Sequence, residues 1–426
     1  MATLEESCLE FYRKIKPETV KGIIPIIDFF RKIDGKPPIP LKERMCETKF
    51  PSLGDKVIML HGVSVGEVMS LDKLIQKIKE NFPDYKIVVT TGTVTGQQIA
   101  KKKYSEIVDF ITYFPLDIYE VCRKFLARIK PSVVLIAETE LWPNFAYCCR
   151  ERGIPLYIIN GRISDKSYKS YLSFKGFMRP IFKNYTGVLC QSDLDKQRFI
   201  ELGSSLKNTI TMKNLKFEVD KQECDISLVQ GVSKIFIAAS THPGEEELAL
   251  SAYKYLKGKI LDLKLIIAPR HITRVPELRK YFKAEGYKIA LRSRKETFKD
   301  ANILLLDTLG ELSKLYSICH VAFIGGSFSK KHSGGHNPIE AAVYNKPTVS
   351  GPSIKNFRDV YSILERSEAS FVVKDHKAFY QTLEKLMCND AYYNKIAQNC
   401  EKCFENQLGA ADIVIEKLEE ILDTEE

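Results

Sequence analysis

Two kinds of apolar pattern alternate along the chain. Short continuous runs rich in Val, Ile and Leu are separated by stretches whose apolar residues recur at helical spacing. The runs are "KVIMLHGV" (56–63), "KIVVTTGT" (86–93), "ITYFPLD" (111–117), "SVVLIAETE" (132–140), "PLYIINGR" (155–162) and "TGVLCQS" (186–192). A run that is apolar at every position is a strand covered on both faces, and its alternation with helices predicts parallel βα units. The pattern breaks across "KNTITMKNLKFEVDKQECD" (207–225) and then restarts. "KIFIAAS" (234–240), "LKLIIAPR" (263–270), "KIALRS" (288–293), "ANILLLD" (301–307), "VAFIGGS" (321–327) and "KPTVSGP" (346–352) predict six further strands. The expected fold class is therefore α/β, with two doubly wound domains joined near 210–225 and a ligand cleft between them at the carboxyl ends of the strands. "AADIVIEKLEEILDTEE" predicts a closing C-terminal amphipathic helix.

Composition narrows the classes. The 426 residues exceed one ordinary core and suit two domains of roughly 200 residues each. With 44% hydrophobic and 28% charged residues the chain is a folded, soluble-type one. The net charge of +10 fits an anionic substrate or an acidic membrane surface. No Arg-rich arm, zinc-finger spacing or RNA-binding aromatic motif is present, so no nucleic-acid partner is expected. The 11 cysteines lack metal-ligand spacing, Cys148-Cys149 reads as helix filler, and reduced thiols are expected. No apolar stretch reaches membrane-spanning length. "VKGIIPIIDFFRKIDGK" (20–36) is amphipathic with Lys and Arg flanks, and suits equally a helix lying on a membrane surface and a packed N-terminal helix.

Chemistry-bearing residues gather just after the predicted strands. His61, His242, His271, His332 and His336 fall in post-strand turns or glycine-rich loops, and His320 does not. In "HGVSVGEV" (61–68), Ser64 and Glu67 have capping-box spacing, so Glu67 is either a helix cap or a carboxylate displayed for chemistry. "STHPGEEE" (240–247) places Ser240 and His242 before an acidic helix start, which is a plain cap or an anion site. "APRH" ends a strand with Arg270 and His271, and a cation there suits a phosphate. "DTLGEL" repeats the cap form with Thr308 and Glu311. In "GGSFSKKHSGGHNPIEAA" (325–342), Asn337 fits an N-cap, Pro338 the first helical position and Glu340 the capping-box acid. A helix start behind such a loop attracts phosphate, and its acid suits ribose hydroxyls. Neither a Walker loop, a GxGxxG fingerprint nor a GxSxG elbow occurs, which argues against P-loop NTPases, ordinary dehydrogenases and α/β-hydrolases. What remains is a binder of a nucleotide-linked donor, mainly through the second domain.

The motifs "HGVSVGE", "TTGTVTG", "ETELWPN", "NGRISDKS", "NLKFE", "STHPGEE", "APRH", "DTLGELSKLY", "GGSF…GGHNPIEAA" and "GPSIKNF" run in order across about 61–357. Together they resemble the 3-deoxy-D-manno-octulosonic acid (Kdo) transferases, which move Kdo from CMP-Kdo onto the lipid A precursor. The resemblance implies a GT-B fold, two Rossmann-like domains facing a central cleft, and an inverting, metal-independent transfer with no cofactor beyond the CMP-Kdo donor. It implies Glu67 as general base, and Pro269, Arg270, Leu309, Gly310, Glu311, Asn337, Pro338, Ile339 and Glu340 as CMP contacts. Ser64, Glu138, Glu140, Arg162, Ser164, Lys216, Ser240, His242, His271, Gly335 and His336 are implied as acceptor or donor-sugar contacts. The implied segments are an amphipathic, membrane-associating 1–45, an acceptor domain 46–215, a CMP-sugar domain 216–410 and a C-terminal helix 411–426. The implied partners are CMP-Kdo, the lipid A precursor and the cytoplasmic face of the bacterial inner membrane. Three features depart from the family pattern. Lys213 stands where Gly usually precedes the Asn, the loop before "GGHN" is slightly long, and the apolar N-terminal anchor of many members is missing. The alternatives are a GT-B nucleotide-sugar 2-epimerase and a non-catalytic binding scaffold; the intact acid of "SVGE" and intact "GGHNPIE" argue against decay.

Overall fold

The computed structural model describes residues 4–33, 35, 37–222, 224, 232–329 and 334–423. The chain divides into two compact units, Met1–Glu218 with Gly409–Glu426, and Val219–Leu408. The first unit thus takes in both the N-terminal segment and the C-terminal helix, which the sequence pattern sets apart.

The first unit carries β1 (Val57–Gly62), β2 (Lys86–Thr91), β3 (Phe110–Tyr113), β4 (Val133–Ala137), β5 (Leu156–Gly161), β6 (Gly187–Cys190) and β7 (Thr209–Thr211). The second carries β8 (Lys234–Thr241), β9 (Leu263–Pro269), β10 (Ile289–Leu291), β11 (Ile303–Leu305), β12 (Val321–Ile324), β13 (Thr348–Ser350) and β14 (Ser370–Val372). Both sheets have seven strands; the orders are β3-β2-β1-β4-β5-β6-β7 and β10-β11-β9-β8-β12-β13-β14. Every pairing is parallel. β7 and β14 are the strands that the apolar runs do not mark. Each is three residues long at a sheet edge.

Successive side chains of a strand point to opposite faces, and here both faces are covered. Val57 and Met59 join one core and Ile58 and Leu60 the other. In the second unit Leu265 and Ile267 face one core, Ile266 and Ala268 the other. The C-terminal helix Ala410–Leu422 lays Ala411, Val414, Ile415, Leu418 and Leu422 on the Ile58/Leu60 face, at the three-and-four spacing of one helical stripe. Its start is tied to the first unit by Glu218, whose Oε1 accepts from the N–H groups of Gly409 (3.0 Å) and Ala411 (3.2 Å).

At the N-terminus, helices Leu4–Arg13 and Pro17–Ile33 precede the sheet. The Tyr12 hydroxyl donates to Asp117 (3.2 Å), anchoring the first of them. The second buries Ile24 but leaves Ile23, Ile26, Ile27, Phe29, Phe30 and Ile33 between 41% and 67% exposed. Of the two expectations for this stretch, a packed helix is therefore met only along one narrow line. Among the described residues no helix is long and apolar enough to cross a membrane.

Candidate functional site

In the first unit, β1 runs out at Gly62, and Ser64 caps the short helix Val65–Ser70. The Val63 peptide is held from both sides. Its carbonyl accepts from Gly92 N–H (3.2 Å), Thr93 N–H (3.1 Å) and the Thr93 hydroxyl (3.0 Å), and its N–H donates to Glu67 Oε2 (2.6 Å). The "TTGTVTG" turn thereby braces the turn that carries Glu67. Ser64 Oγ donates to Glu67 Oε1 (2.8 Å), and the Glu67 N–H returns to Ser64 Oγ (3.5 Å). Glu67 is thus a cap, and its acid is held at a strand's carboxyl end by that capping.

Glu138 and Glu140 follow the adjacent strand β4 and join Glu67 in one acidic group. Burial, then the charge of Glu138, raises the Glu67 carboxyl above its ordinary value, while the bonds from Ser64 and Val63 oppose the rise. Burial, then Glu67, then Glu138 push Glu140 up to about 7. Lys216 reaches Glu138 at 2.8 Å. Arg162 follows β5, and its carbonyl accepts from the Thr139 hydroxyl. Ser164 is exposed and caps the helix Asp165–Ser173, accepting from Ser167 N–H (3.1 Å), so its side chain has a structural task. His61 lies inside β1 rather than in the turn. It is fully buried, its Nδ1 sits 3.0 Å from Thr90 Oγ1, and burial lowers it to about 3, which makes it a core histidine.

In the second unit, β8 turns left-handed at Ser240 (φ 53°) and ends at Thr241, with His242 next. His242 and His336 have their Nε2 atoms 3.0 Å apart, with rings near parallel at 9°, and His271 stands 5.8 Å from His242 between ring centres. One Nε2 of the pair must carry a hydrogen and the other accept it. Burial, then Arg270, His242 and His271, hold His336 down to about 4. Arg270 and His271 are exposed directly after Pro269, the buried last residue of β9, and the Arg270 N–H bonds to the Thr241 carbonyl (3.0 Å).

The acids around this basic group are engaged in structure. Glu245, 1% exposed, accepts from the N–H groups of His242 (2.9 Å), Gly326 (2.8 Å), Ser327 (3.0 Å) and Phe328 (2.9 Å). A Cβ on Gly325 would fall 2.6 Å from the Ser240 carbonyl, so only glycine lets this loop close on β8. Glu246, fully buried, pairs with Arg274 (2.5 Å) and accepts from the Thr241 hydroxyl (2.8 Å). "STHPGEEE" is thus mainly a clamp, a role that sequence spacing alone does not separate from anion binding. Gly335 (φ 72°) lies beside β12 with its N–H on the Gly326 carbonyl (3.0 Å).

The helix after "GGHN" begins one residue later than the spacing predicts. It spans Ile339–Ala342, a single turn with Pro338 as its cap, and Asn337 Oδ1 accepts from Ile339 N–H (3.1 Å). The Ile339 side chain is 1% exposed and belongs to the interior. Burial raises the Glu340 carboxyl, against the Asn337 bond and the Arg270 charge. Thr308 is likewise not an N-cap. The helix Leu312–Leu315 starts after Glu311, which instead accepts from the Thr308 hydroxyl and from Arg292 Nε (3.0 Å). Burial, which opposes ionisation there, is outweighed by these two partners, and Glu311 lies below its ordinary value. Leu309 is 77% exposed beside the left-handed Gly310 (φ 84°). His332 and the rest of 330–333 lie outside the described residues. Among the described residues, no three His, Cys, Asp or Glu side chains are grouped as a metal site would require.

Residues 40–219 match the family model of 3-deoxy-D-manno-octulosonic-acid transferase (kdotransferase). The chain is 32% identical over 370 residues to the 3-deoxy-D-manno-octulosonic acid transferase of Rickettsia bellii, covering 85% of this chain and 87% of that one. It is 32% identical over 345 residues to a bifunctional glycosyltransferase/methyltransferase of Fusobacterium nucleatum, covering 78% of this chain but only 53%, about half, of that longer protein. Among solved structures, UDP-GlcNAc 2-epimerase from Neisseria meningitidis bound to UDP-GlcNAc aligns over 85% of this chain and 99% of its own, with a TM-score of 0.57 at 16% identity, a likeness of fold alone.

Proposed function

Because the chain belongs to the 3-deoxy-D-manno-octulosonic acid transferase family, and so to the GT-B glycosyltransferases, we propose that it transfers Kdo from CMP-Kdo to the lipid A precursor with inversion. The observation that carries the mechanism is Glu67: a half-buried carboxyl, pinned by Val63 N–H and Ser64 Oγ at the end of β1, with its proton affinity raised by burial and Glu138. A base of that kind takes the proton of the attacking acceptor hydroxyl and contributes roughly 100- to 10,000-fold.

The CMP portion is assigned to the second unit. Arg270 offers a guanidinium to the departing phosphate, with His271, His242 and His336 adding donors around it. Asn337 and Glu340 offer polar groups for the ribose, and the backbone of Pro338, Ile339, Leu309 and Gly310 completes the contacts. No divalent cation is assigned a role, since these side chains supply the charge that a leaving phosphate needs. Pro17–Ile33, with its exposed Ile and Phe side chains and its Lys and Arg residues, is assigned to the cytoplasmic face of the inner membrane, where the acceptor's lipid chains reside.

The test is incubation with CMP-Kdo and a tetraacylated lipid A precursor, read by mass spectrometry. A mass gain of one or more Kdo units supports the reading. No gain with intact donor present sinks it. Epimerisation of a UDP-sugar by the same preparation would favour the isomerase instead.

A further inference from the structure

Arg44 is a cation without a counter-charge at the carboxyl edge of the first sheet. It ends the short helix Leu41–Arg44 and is half-buried. Its Nε donates to the Phe114 carbonyl (3.2 Å), and its own carbonyl accepts the Leu116 N–H (2.9 Å). The guanidinium is thus fixed just beyond β3. Among the described residues no carboxylate lies within ion-pair distance of it, and its terminal N–H groups bond to none of them. Burial, then the charge of Arg31, lower its proton affinity, and only Tyr113 opposes them. A half-buried guanidinium that meets a second cation instead of an acid is costly until an anion joins it.

The helix Pro17–Ile33 is stapled to the same segment. Asp28 Oδ1 accepts from Ile39 N–H (2.8 Å), and Arg31 donates to the Pro37 carbonyl through Nε (3.0 Å) and Nη2 (2.8 Å). These bonds tie the end of an exposed apolar face to the chain that enters Arg44. On the other side, Phe114 N–H bonds to the Thr91 carbonyl (2.9 Å), and the next two residues, Gly92 and Thr93, hold the Val63 carbonyl in the turn of Glu67. β3, β2 and β1 are neighbours, so Arg44 and that turn stand about two strand spacings, roughly 10 Å, apart. A guanidinium is a planar fork that suits phosphate. Resting on the proposed transfer to a lipid acceptor, we propose that Arg44 binds a phosphate on the acceptor's sugar headgroup, while the exposed Ile and Phe side chains of Pro17–Ile33 take its acyl chains. A soluble phosphate ester would leave the apolar face unused. A bulk membrane phospholipid would use both features but has no need of a place beside the Glu67 turn.

The test is kcat/KM of the full-length protein in detergent micelles, for a tetraacylated lipid A precursor with its phosphates and for the same lipid after phosphatase treatment. Arg44→Gln is expected to lose roughly 10- to 100-fold on the phosphorylated acceptor, through KM for that acceptor, with KM for CMP-Kdo unchanged. The wild type should lose at least that factor when the phosphates are removed, and on the dephosphorylated lipid the two proteins should be alike. Arg44→Lys keeps the charge but not the fork and should lie between. An equal loss on both acceptors overturns the proposal and leaves Arg44 as a strut for the 114–116 segment. A wild type indifferent to the phosphates overturns it as well. If Arg44→Gln does not fold, the ratio of Arg44→Lys activity on the two acceptors decides in the same way. Partition onto phosphatidylglycerol vesicles should be the same for Arg44→Gln and wild type. Weaker partition with unchanged kcat/KM in micelles would assign the guanidinium to membrane lipid, against the proposal. If the wild type transfers sugar to neither lipid, the transferase reading itself fails; if it transfers without discrimination that depends on Arg44, only this inference fails.

Discussion

The two units carry almost the same scaffold and display opposite chemistry at the same place on it. Both are seven-stranded parallel sheets; the second has an extra strand, β11, between β9 and β10 and no counterpart of β7. At the carboxyl ends of β1 and β4 stand three carboxyls; at the ends of β8 and β9 and in the loop after β12 stand three imidazoles and a guanidinium. The second unit does not lack acids in these turns. It engages them: Glu245 with four backbone N–H groups, Glu246 with Arg274, Glu311 with Arg292. In the first unit burial and mutual repulsion raise Glu67 and Glu140; in the second, burial alone raises Glu246 and Glu340 against their partners. A neighbouring carboxylate is therefore what sets the first unit's acids apart, and capping-type spacing is common to both kinds.

The sharpest way to break this contrast is to remove one acid of each kind. Glu67→Gln keeps an acceptor for the Val63 N–H and a partner for Ser64 Oγ, so folding should be unchanged. Transfer should fall by roughly 100- to 10,000-fold in kcat/KM. Near-normal transfer at an unchanged melting temperature would leave Glu67 as a cap only. Glu245→Ala should do the reverse. It strands four N–H groups that now share one carboxylate, and each such loss costs about 1–3 kcal/mol before water relieves part of it. A loss of roughly 3–5 kcal/mol in the denaturant-derived stability of the second unit is expected. A loss under about 1 kcal/mol would show that the clamp is dispensable.

Those two glutamates also mark how far the sequence alone could be read. Continuous Val, Ile and Leu runs give away strands such as β1 and β9, because two-sided burial leaves no polar position to blur the pattern. The edge strands β7 and β14 leave no such trace. The positions of Glu67, Arg270 and His336 follow from motif order. Their neighbours' roles do not, because S/T-x-x-E spacing is the same whether the acid faces one hydroxyl, as Glu311 faces Thr308, or a strand-end cluster. His61 misleads for a related reason. Its place before Gly62 suggests a turn, yet the strand runs one residue past it and buries the ring beside Phe114, 4.1 Å between ring centres. The four-donor clamp on Glu245 depends on contacts between the start of the helix after β8 and the loop after β12, more than 80 residues apart in the chain.

A gentler probe of the contrast uses pH. The folded-state value of Glu140, about 7, lies above its ordinary 4.5. With a raised folded value, the stabilising difference is fully present below 4.5 and is lost as pH rises through 7. Glu140→Gln removes the cost of ionising this group among Glu67 and Glu138. It should raise the melting temperature relative to wild type at pH 8, with the difference shrinking toward pH 4.5. A difference independent of pH would mean that Glu140 does not titrate within the set.

The smallest expected effect concerns Lys213, a non-glycine residue in left-handed backbone (φ 71°). A non-glycine residue in this region costs roughly 1–2 kcal/mol, and glycine returns about 0.5–1 kcal/mol of this through its extra freedom when unfolded. Lys213→Gly should therefore stabilise the first unit by under about 1 kcal/mol, visible as a small rise in denaturant midpoint. Ser240, near the end of β8, is likewise left-handed at φ 53°, and Ser240→Gly should behave alike if backbone strain is the whole effect. A loss of stability at Lys213 but not at Ser240 would show that the lysine side chain holds the 213–217 turn in place, and that the acidic end of the first sheet leans on contacts for which the basic end of the second has no counterpart.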